Sequence, residues 1–248
     1  MYKEEIENFK RDGFCVFRQF FEPARIAAVE VNLQRYIDDV LPTYDGPGTM
    51  YEDVDDPNTL FRLEKMQQHD PFFRALLDDE QLAAIAADLL DDAVITHDVA
   101  MFAKAPLVGT GTPPHQDGYY LQLEPNNAVT FWLAIDRADN DNGCVRYAAG
   151  SPGDGLRPHA KTEAFGFSLG VADFGPADIA REQAVVVDPG DMIAHHSLAI
   201  HRTDDNRTNR LRRALGIIFV GAASTVNEEA VRAHAIETYA EWKETGRL

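Results

Sequence analysis

Apolar positions along the chain change their period near residue 92, which separates a helical part from a β-rich one. Within residues 3–11, Ile6 and Phe9 fall three apart on one helix face, and Asp12-Gly13 follows as a stop. Phe14-Cys15-Val16-Phe17 is a compact apolar run of strand type. From about residue 22 to 41, Ile26, Val29, Leu33, Ile37 and Leu41 recur at helical spacing behind an early Pro23. Residues 42–57, rich in Asp, Gly and Pro, read as loop. Helical spacing returns over 71–91 through Phe72, Leu76, Leu82, Ile85, Ala86 and Leu89. Residues 1–92 are therefore expected to form a mostly helical buttress.

Beyond residue 92 the apolar runs shorten, and Gly, Pro and Asn punctuate them. Strands are expected over 93–97, 99–104, 129–135, 143–147, 184–187, 192–195 and 215–220. Residues 151–183 form a long insert between strands, with the composition of a binding loop or lid. Residues 223–248 carry a final helix, from about 228 to 243. Helices followed by a run of short strands predict a mainly β fold with flanking helices, an all-β barrel or sandwich, as one domain over 1–248 with its β core at 93–222.

Composition narrows the partners. The 248 residues are 45% hydrophobic, enough for one well-buried core, and carry 23 Lys and Arg against 41 Asp and Glu, a formal charge of −18. So acidic a surface repels phosphate backbones and anionic lipid, which argues against nucleic-acid or membrane partners but says little about the site itself. Cys15 and Cys144 lack the number and spacing of a disulfide framework or a cysteine zinc site. The N-terminus has no apolar run behind its charges, and no stretch approaches a membrane span. The expectation is a cytoplasmic protein, monomer or homodimer.

The candidate chemistry begins at Thr112-Pro113-Pro114-His115-Gln116-Asp117-Gly118. On a strand, residues i and i+2 project to the same side, so His115 and Asp117 can serve one metal ion. A distant histidine would complete a 2-His-1-carboxylate set, whose open positions suit non-haem Fe(II). His201 fits, between an apolar segment opened by Pro189-Gly190-Asp191 and the polar turn Asp204-Asp205-Asn206. His195 or His196 could replace it; more naturally one faces the core and the other supports the ligands. His69, His97, His159 and His234 read as non-ligands. Arg212, eleven residues beyond His201, could return beside it through a hairpin. A guanidinium there can hold one end of a dicarboxylate whose other end chelates the metal, a description that suits 2-oxoglutarate.

These residues, with Phe131-Trp132-Leu133-Ala134-Ile135-Asp136, Asp141-Asn142-Gly143-Cys144 and the opening Phe9-Lys10-Arg11-Asp12-Gly13-Phe14, resemble the phytanoyl-CoA dioxygenase family. The resemblance runs from about residue 6 to 220. It implies a double-stranded β-helix (jelly-roll, cupin-like) core using Fe(II), with 2-oxoglutarate and O2 as cosubstrates. His115, Asp117 and His201 would be the iron ligands. Arg212 would hold the distal carboxylate of 2-oxoglutarate, Thr203 would hydrogen-bond it, and Trp132 and Arg62 would line its site. Ala148-Ala149-Gly150-Ser151-Pro152 departs from the family's Pro-Gly-Ser-His, so the local substrate loop is expected to differ.

Three further side chains are candidates for the substrate pocket. Tyr119 and Tyr120 follow the ligand pair and either line the pocket or simply pack. Arg146 either meets an anionic substrate group or forms a surface ion pair, the commoner fate. The expected activity is hydroxylation of an aliphatic C–H in a small metabolite or natural-product intermediate, with release of succinate and CO2. A zinc-dependent hydrolase, a non-catalytic metal-binding or interaction protein, and a sugar-binding jelly roll are the rivals.

Overall fold

The opening helix α1 (Lys3–Asp12) ends where Gly13 turns left-handed at φ 86°, its N–H capping the Phe9 carbonyl. A side chain there would drive into Pro152, so the tight exit into strand β1 (Phe14–Phe17) needs glycine. The structure, a computed structural model, describes residues 2–43, 48–162, 164 and 169–232. Helix α2 (Pro23–Arg35) starts with proline and continues through a π turn to Val40 and a 3-10 turn to Thr43. Strands β2 (Thr49–Tyr51) and β3 (Leu60–Leu63) come next. The helix expected over 71–91 is two helices, α3 (Pro71–Leu77) and α4 (Glu80–Leu90). Asp79 divides them: its backbone is extended, and its carboxylate accepts from the N–H groups of Gln81 and Leu82 as an N-cap.

The β core then runs through β4 (Val94–Lys104), β5 (Thr112–His115), helix α5 (Asp117–Leu121), β6 (Leu123–Glu124), β7 (Ala128–Ala134) and β8 (Val145–Ala148). It continues with β9 (His159–Lys161), β10 (Leu169–Val171), helix α6 (Pro176–Ile179), β11 (Glu182–Val185), β12 (Met192–His196), β13 (His201–Thr203), β14 (Arg212–Gly221) and β15 (Thr225–Val226). A seven-stranded antiparallel sheet has the order β1-β12-β7-β14-β4-β3-β2, and a four-stranded sheet the order β11-β8-β13-β5. The two sheets face one another as a jelly roll, the double-stranded β-helix expected.

Several expectations need correction. The runs 93–97 and 99–104 are one strand, and the polar step between them is a register irregularity: Ile218 pairs with Asp98, but Phe219 pairs with Thr96. Residues 1–92 are less purely helical than expected, since β1, β2 and β3 all join the large sheet. Residues 42–57 were expected to be loop, yet hold β2; strands of three or four residues are too short to show a period. The insert 151–183 is also partly regular, with the β9–β10 hairpin and α6. Residues 228–232 are helical, and the rest of the expected C-terminal helix, His234 included, lies outside the described residues.

Alternation along the central strands produces two unlike faces. On the outer face Val129, Phe131 and Leu133 of β7, Leu215, Ile217 and Phe219 of β14, and Val99 and Met101 of β4 pack on the helices. The helices answer with Phe9, Val29, Leu33, Leu82, Ile85 and Leu89. Each such side chain contributes about 1.5–3 kcal/mol of hydrophobic stabilisation. On the inner face Trp132, Ile193 and Ala214 meet Val145, Tyr147 and Val185 of the small sheet. That second core fills only part of the space between the sheets, and the remainder is a cavity of about 180 Å³.

Candidate metal centre

His115 is the last residue of β5 and Asp117 the first of α5. The two are therefore not on one strand, but Gln116 between them stays extended (φ −122°, ψ 126°), so both still project to the same side. Gln116 points the other way and is fully engaged, donating to the carbonyls of Gly155 and Leu198 and accepting from the Arg157 N–H. His201 opens β13, directly opposite His115 in the β5–β13 ladder. The rings of His115 and His201 are 4.2 Å apart, and each Nε2 lies 3.7 Å from Asp117 Oδ1. One ligand atom from each of the three residues falls within 4.8 Å of the others.

The surrounding hydrogen bonds settle which atoms face the centre. His115 Nδ1 bonds the Pro113 carbonyl at 2.9 Å, and His201 Nδ1 bonds the Ala199 carbonyl at 3.0 Å. A carbonyl only accepts, so each Nδ1 carries the proton and each Nε2 presents a lone pair. Burial pulls the pKa of both imidazoles down, His201 well below its ordinary value, which keeps them neutral and ready to ligate. For Asp117 burial alone would raise the carboxyl. His201, then the hydrogen bond and charge of His195, outweigh it and hold the group well below the usual carboxylate range.

His195 is the residue that sequence reasoning left open, and it has a definite place. Its Nε2 donates to Asp117 Oδ2 at 3.0 Å, and its Nδ1 accepts from the Tyr147 hydroxyl at 2.9 Å. The Thr130 hydroxyl donates to the same Oδ2 at 2.8 Å. Oδ2 is thus occupied, while Oδ1 is turned to the two histidines. Strand parity was the available signal: His195 alternates with Ala194 on β12, and Thr130 shares the Trp132 face of β7. His196 faces away, its Nδ1 accepting from the Leu198 N–H and its ring 6.0 Å from Phe9.

Arg212 enters the cavity from the start of β14, 3% exposed, and its Nε has no hydrogen-bond partner among the described residues. Its guanidinium carbon lies 5.3 Å from the Trp132 ring centre. Burial lowers its pKa to about 10, so it stays charged at neutral pH. Thr203 lines the same end; its hydroxyl accepts from the Thr112 N–H at 3.0 Å, which leaves its own hydrogen to donate. Arg62 lines the cavity from β3, paired with Glu64 at 2.7 Å and 5.4 Å from the Phe102 ring. Phe102 lies so close to Gly216 that a Cβ there would meet it at 2.9 Å.

Of the substrate candidates, Tyr120 lines the cavity, and its hydroxyl donates to the Leu169 carbonyl at 2.6 Å, tying the insert to the site. Tyr119 does not line it: the ring stacks on His159 at 4.2 Å, a ligand-independent packing role. Nor does Arg146, whose Nε is 2.7 Å from Asp204. Its Nη2 also donates to Asn140 Oδ1 at 3.2 Å, so the guanidinium is engaged outside the cavity. Thr130 and Asp98, which line the cavity, and Tyr147, which bonds His195, are residues that the sequence reading did not single out.

Comparison with known proteins agrees with this geometry. The family profile described as Phytanoyl-CoA dioxygenase (PhyH) matches residues 9–214. The phytanoyl-CoA dioxygenase domain-containing protein 1 of Bos taurus is 28% identical over 162 residues, covering 63% of this chain and 55% of that protein. The peroxisomal phytanoyl-CoA dioxygenase of Mus musculus is 27% identical over 166 residues, covering 64% and 48%. The chain thus spans about half the length of the curated relatives it matches. Among solved structures, EctD from S. alaskensis with 2-oxoglutarate and 5-hydroxyectoine superposes with a TM-score of 0.76 at 17% identity, over 92% of this chain and 78% of that one. The α-ketoglutarate-dependent carbocyclase SnoK from nogalamycin biosynthesis gives 0.75 at 19%, over 91% and 86%. At such identities the structural likeness establishes the fold.

Proposed function

The chain belongs to the phytanoyl-CoA dioxygenase family, and on that premise we propose that it is an Fe(II)- and 2-oxoglutarate-dependent oxygenase. Its reaction would hydroxylate an aliphatic C–H of a small metabolite or natural-product intermediate and release succinate and CO2. The observation that carries the reading is Arg212, a buried cation with an unmatched Nε on the cavity that also holds His115, Asp117 and His201. A buried charge without a partner is costly, and a bound dicarboxylate is the missing anion.

The donor set fits iron: two neutral imidazole nitrogens and one carboxylate oxygen leave coordination positions open. When bound, iron and 2-oxoglutarate together supply O2 activation driven by oxidative decarboxylation of the cosubstrate. The chain's own residues arrange it. His115 and His201 present Nε2, and Asp117 presents Oδ1 because His195 and Thr130 hold Oδ2. Arg212 pairs with the distal carboxylate of the cosubstrate, Thr203 donates a hydroxyl to it, and Trp132 covers the guanidinium and excludes water. Arg62 would add positive charge on the same side. Asp117 fills the position a halide would need, which favours hydroxylation over halogenation.

A zinc hydrolase would leave Arg212 without a role. The deciding experiment is succinate formation from 2-oxoglutarate by the purified protein with Fe(II) and O2, before any substrate is known. Succinate above the metal-free control is expected. None at all, under conditions where the protein binds Fe(II), removes the oxygenase reading.

A further inference from the structure

The cavity is longer than its metal end. Arg212 and Ile218 both line it from β14, six residues apart in sequence, roughly 20 Å along a strand. Opposite Ile218 stands Asp98, where the register irregularity of β4 falls. Asp98 is half-buried, and its Oδ1 is shielded from solvent without a hydrogen-bond partner among the described residues. Phe102, Leu121 and Ile218 give the cavity apolar wall, alongside His97 and Thr130.

No donor among the described residues reaches that oxygen. Gln67 hydrogen-bonds the Asp98 carboxyl and also braces the β4 backbone, its Nε2 donating to the His97 carbonyl at 3.3 Å and its Oε1 accepting from the Val99 N–H at 3.0 Å, yet Oδ1 stays without a partner among the described residues. The charged neighbours are His97, Lys65 and Glu64, and Glu64 already pairs with Arg62. A shielded, unmatched acceptor is destabilising, which an aliphatic side chain at 98 would avoid. Such an oxygen can be matched only by a donor arriving with the ligand. A carboxylate or phosphate brought there would meet an acceptor and be rejected.

We propose that Asp98 selects the substrate, accepting a hydrogen bond from an ammonium or hydroxyl group carried by a small aliphatic molecule that fills the Ile218 end of the cavity. This rests on the oxygenase reading of the same cavity. It excludes free acids and phosphate-bearing esters from this end, and it puts the donor group far from Arg212, beyond the space the cosubstrate would take.

The test uses the full chain with Fe(II) and 2-oxoglutarate under anaerobic conditions, titrated with pentylamine, 1-pentanol and pentanoate as probes. At least one donor probe is expected to bind ten times more tightly than pentanoate, and Asp98→Leu to weaken that probe at least tenfold. Asp98→Asn separates the two donors: loss of pentylamine binding assigns an ammonium, and retention of 1-pentanol binding assigns a hydroxyl. The unfolding midpoint of ligand-free Asp98→Leu should equal or exceed that of the parent. Failure of both donor probes, equal binding of pentanoate, unchanged affinity in Asp98→Leu, or a lowered midpoint each overturns the proposal. Succinate formation by the parent without probe tests the oxygenase reading separately, so either can fail alone.

Discussion

The two faces of the β7–β14–β4 sheet are both largely hidden from water, the outer one more completely, and differ in what the hiding does. Val129, Phe131 and Leu133 on the outer face and Thr130 and Trp132 on the inner one belong to the same strand, and all are buried. Outside, the packing against the helices is chiefly apolar, with Arg213 reaching Glu30 of α2 at the start of β14. Inside, the strands carry Lys104, Arg212, Thr130 and His195, and Asp98 at the edge of the cavity, some matched within the protein and some not. Burial outside is stability. Burial inside leaves Arg212 Nε and Asp98 Oδ1 without partners among the described residues.

Four substitutions test that contrast, beginning with the largest effect. Asp117→Ala removes the carboxylate between the two histidines and should abolish both Fe(II) binding and succinate formation; normal turnover would take Asp117 out of the site. Leu215→Ala, on the outer face, should destabilise the fold by about 2–5 kcal/mol in denaturant unfolding. Cosubstrate affinity of the folded fraction should not change, and a changed affinity would mean the faces are coupled.

Lys104→Met probes a buried inner-face charge whose ammonium donates to the Thr110 carbonyl. Burial pushes its pKa down to about 7. Between there and the unfolded lysine value near ~10.4, the unfolded chain holds a proton that the folded chain lacks. Parent stability should therefore rise with pH across that window, by a few kcal/mol at most, relative to Lys104→Met. A pH-independent difference between the two would show that Lys104 is charged throughout. Arg212→Leu should leave the ligand-free fold as stable or more so, while weakening 2-oxoglutarate about 100-fold, the loss typical of a buried charge pair. Calorimetry showing the parent affinity would refute the assigned partner.

The legible parts of the molecule are those where one residue's neighbours in sequence carry the signal. The stripe Ile26, Val29, Leu33 is a helix because its spacing matches the helical period. His115 and Asp117 are readable as a pair because one extended residue separates them. The break at Asp79 was present as two consecutive acids before Glu80, an N-cap signature that the longer apolar stripe outweighed. Strands β2, β3 and β13 offer only three or four residues each, so pairing partners decide them.

By itself the sequence determined the helical start, the β-rich remainder, the family motifs and the candidate ligand set His115, Asp117 and His201. Tertiary structure decided what those residues meet: that His195 and Thr130 hold one oxygen of Asp117, that Arg146 is turned to Asp204, and that Asp98 reaches the cavity with an unmatched oxygen. The reason is one of distance along the chain. Periodicity and capping act over a few residues, whereas the hydrogen bond from His195 to Asp117 closes 78 residues of chain, and only the folded sheets fix such a meeting.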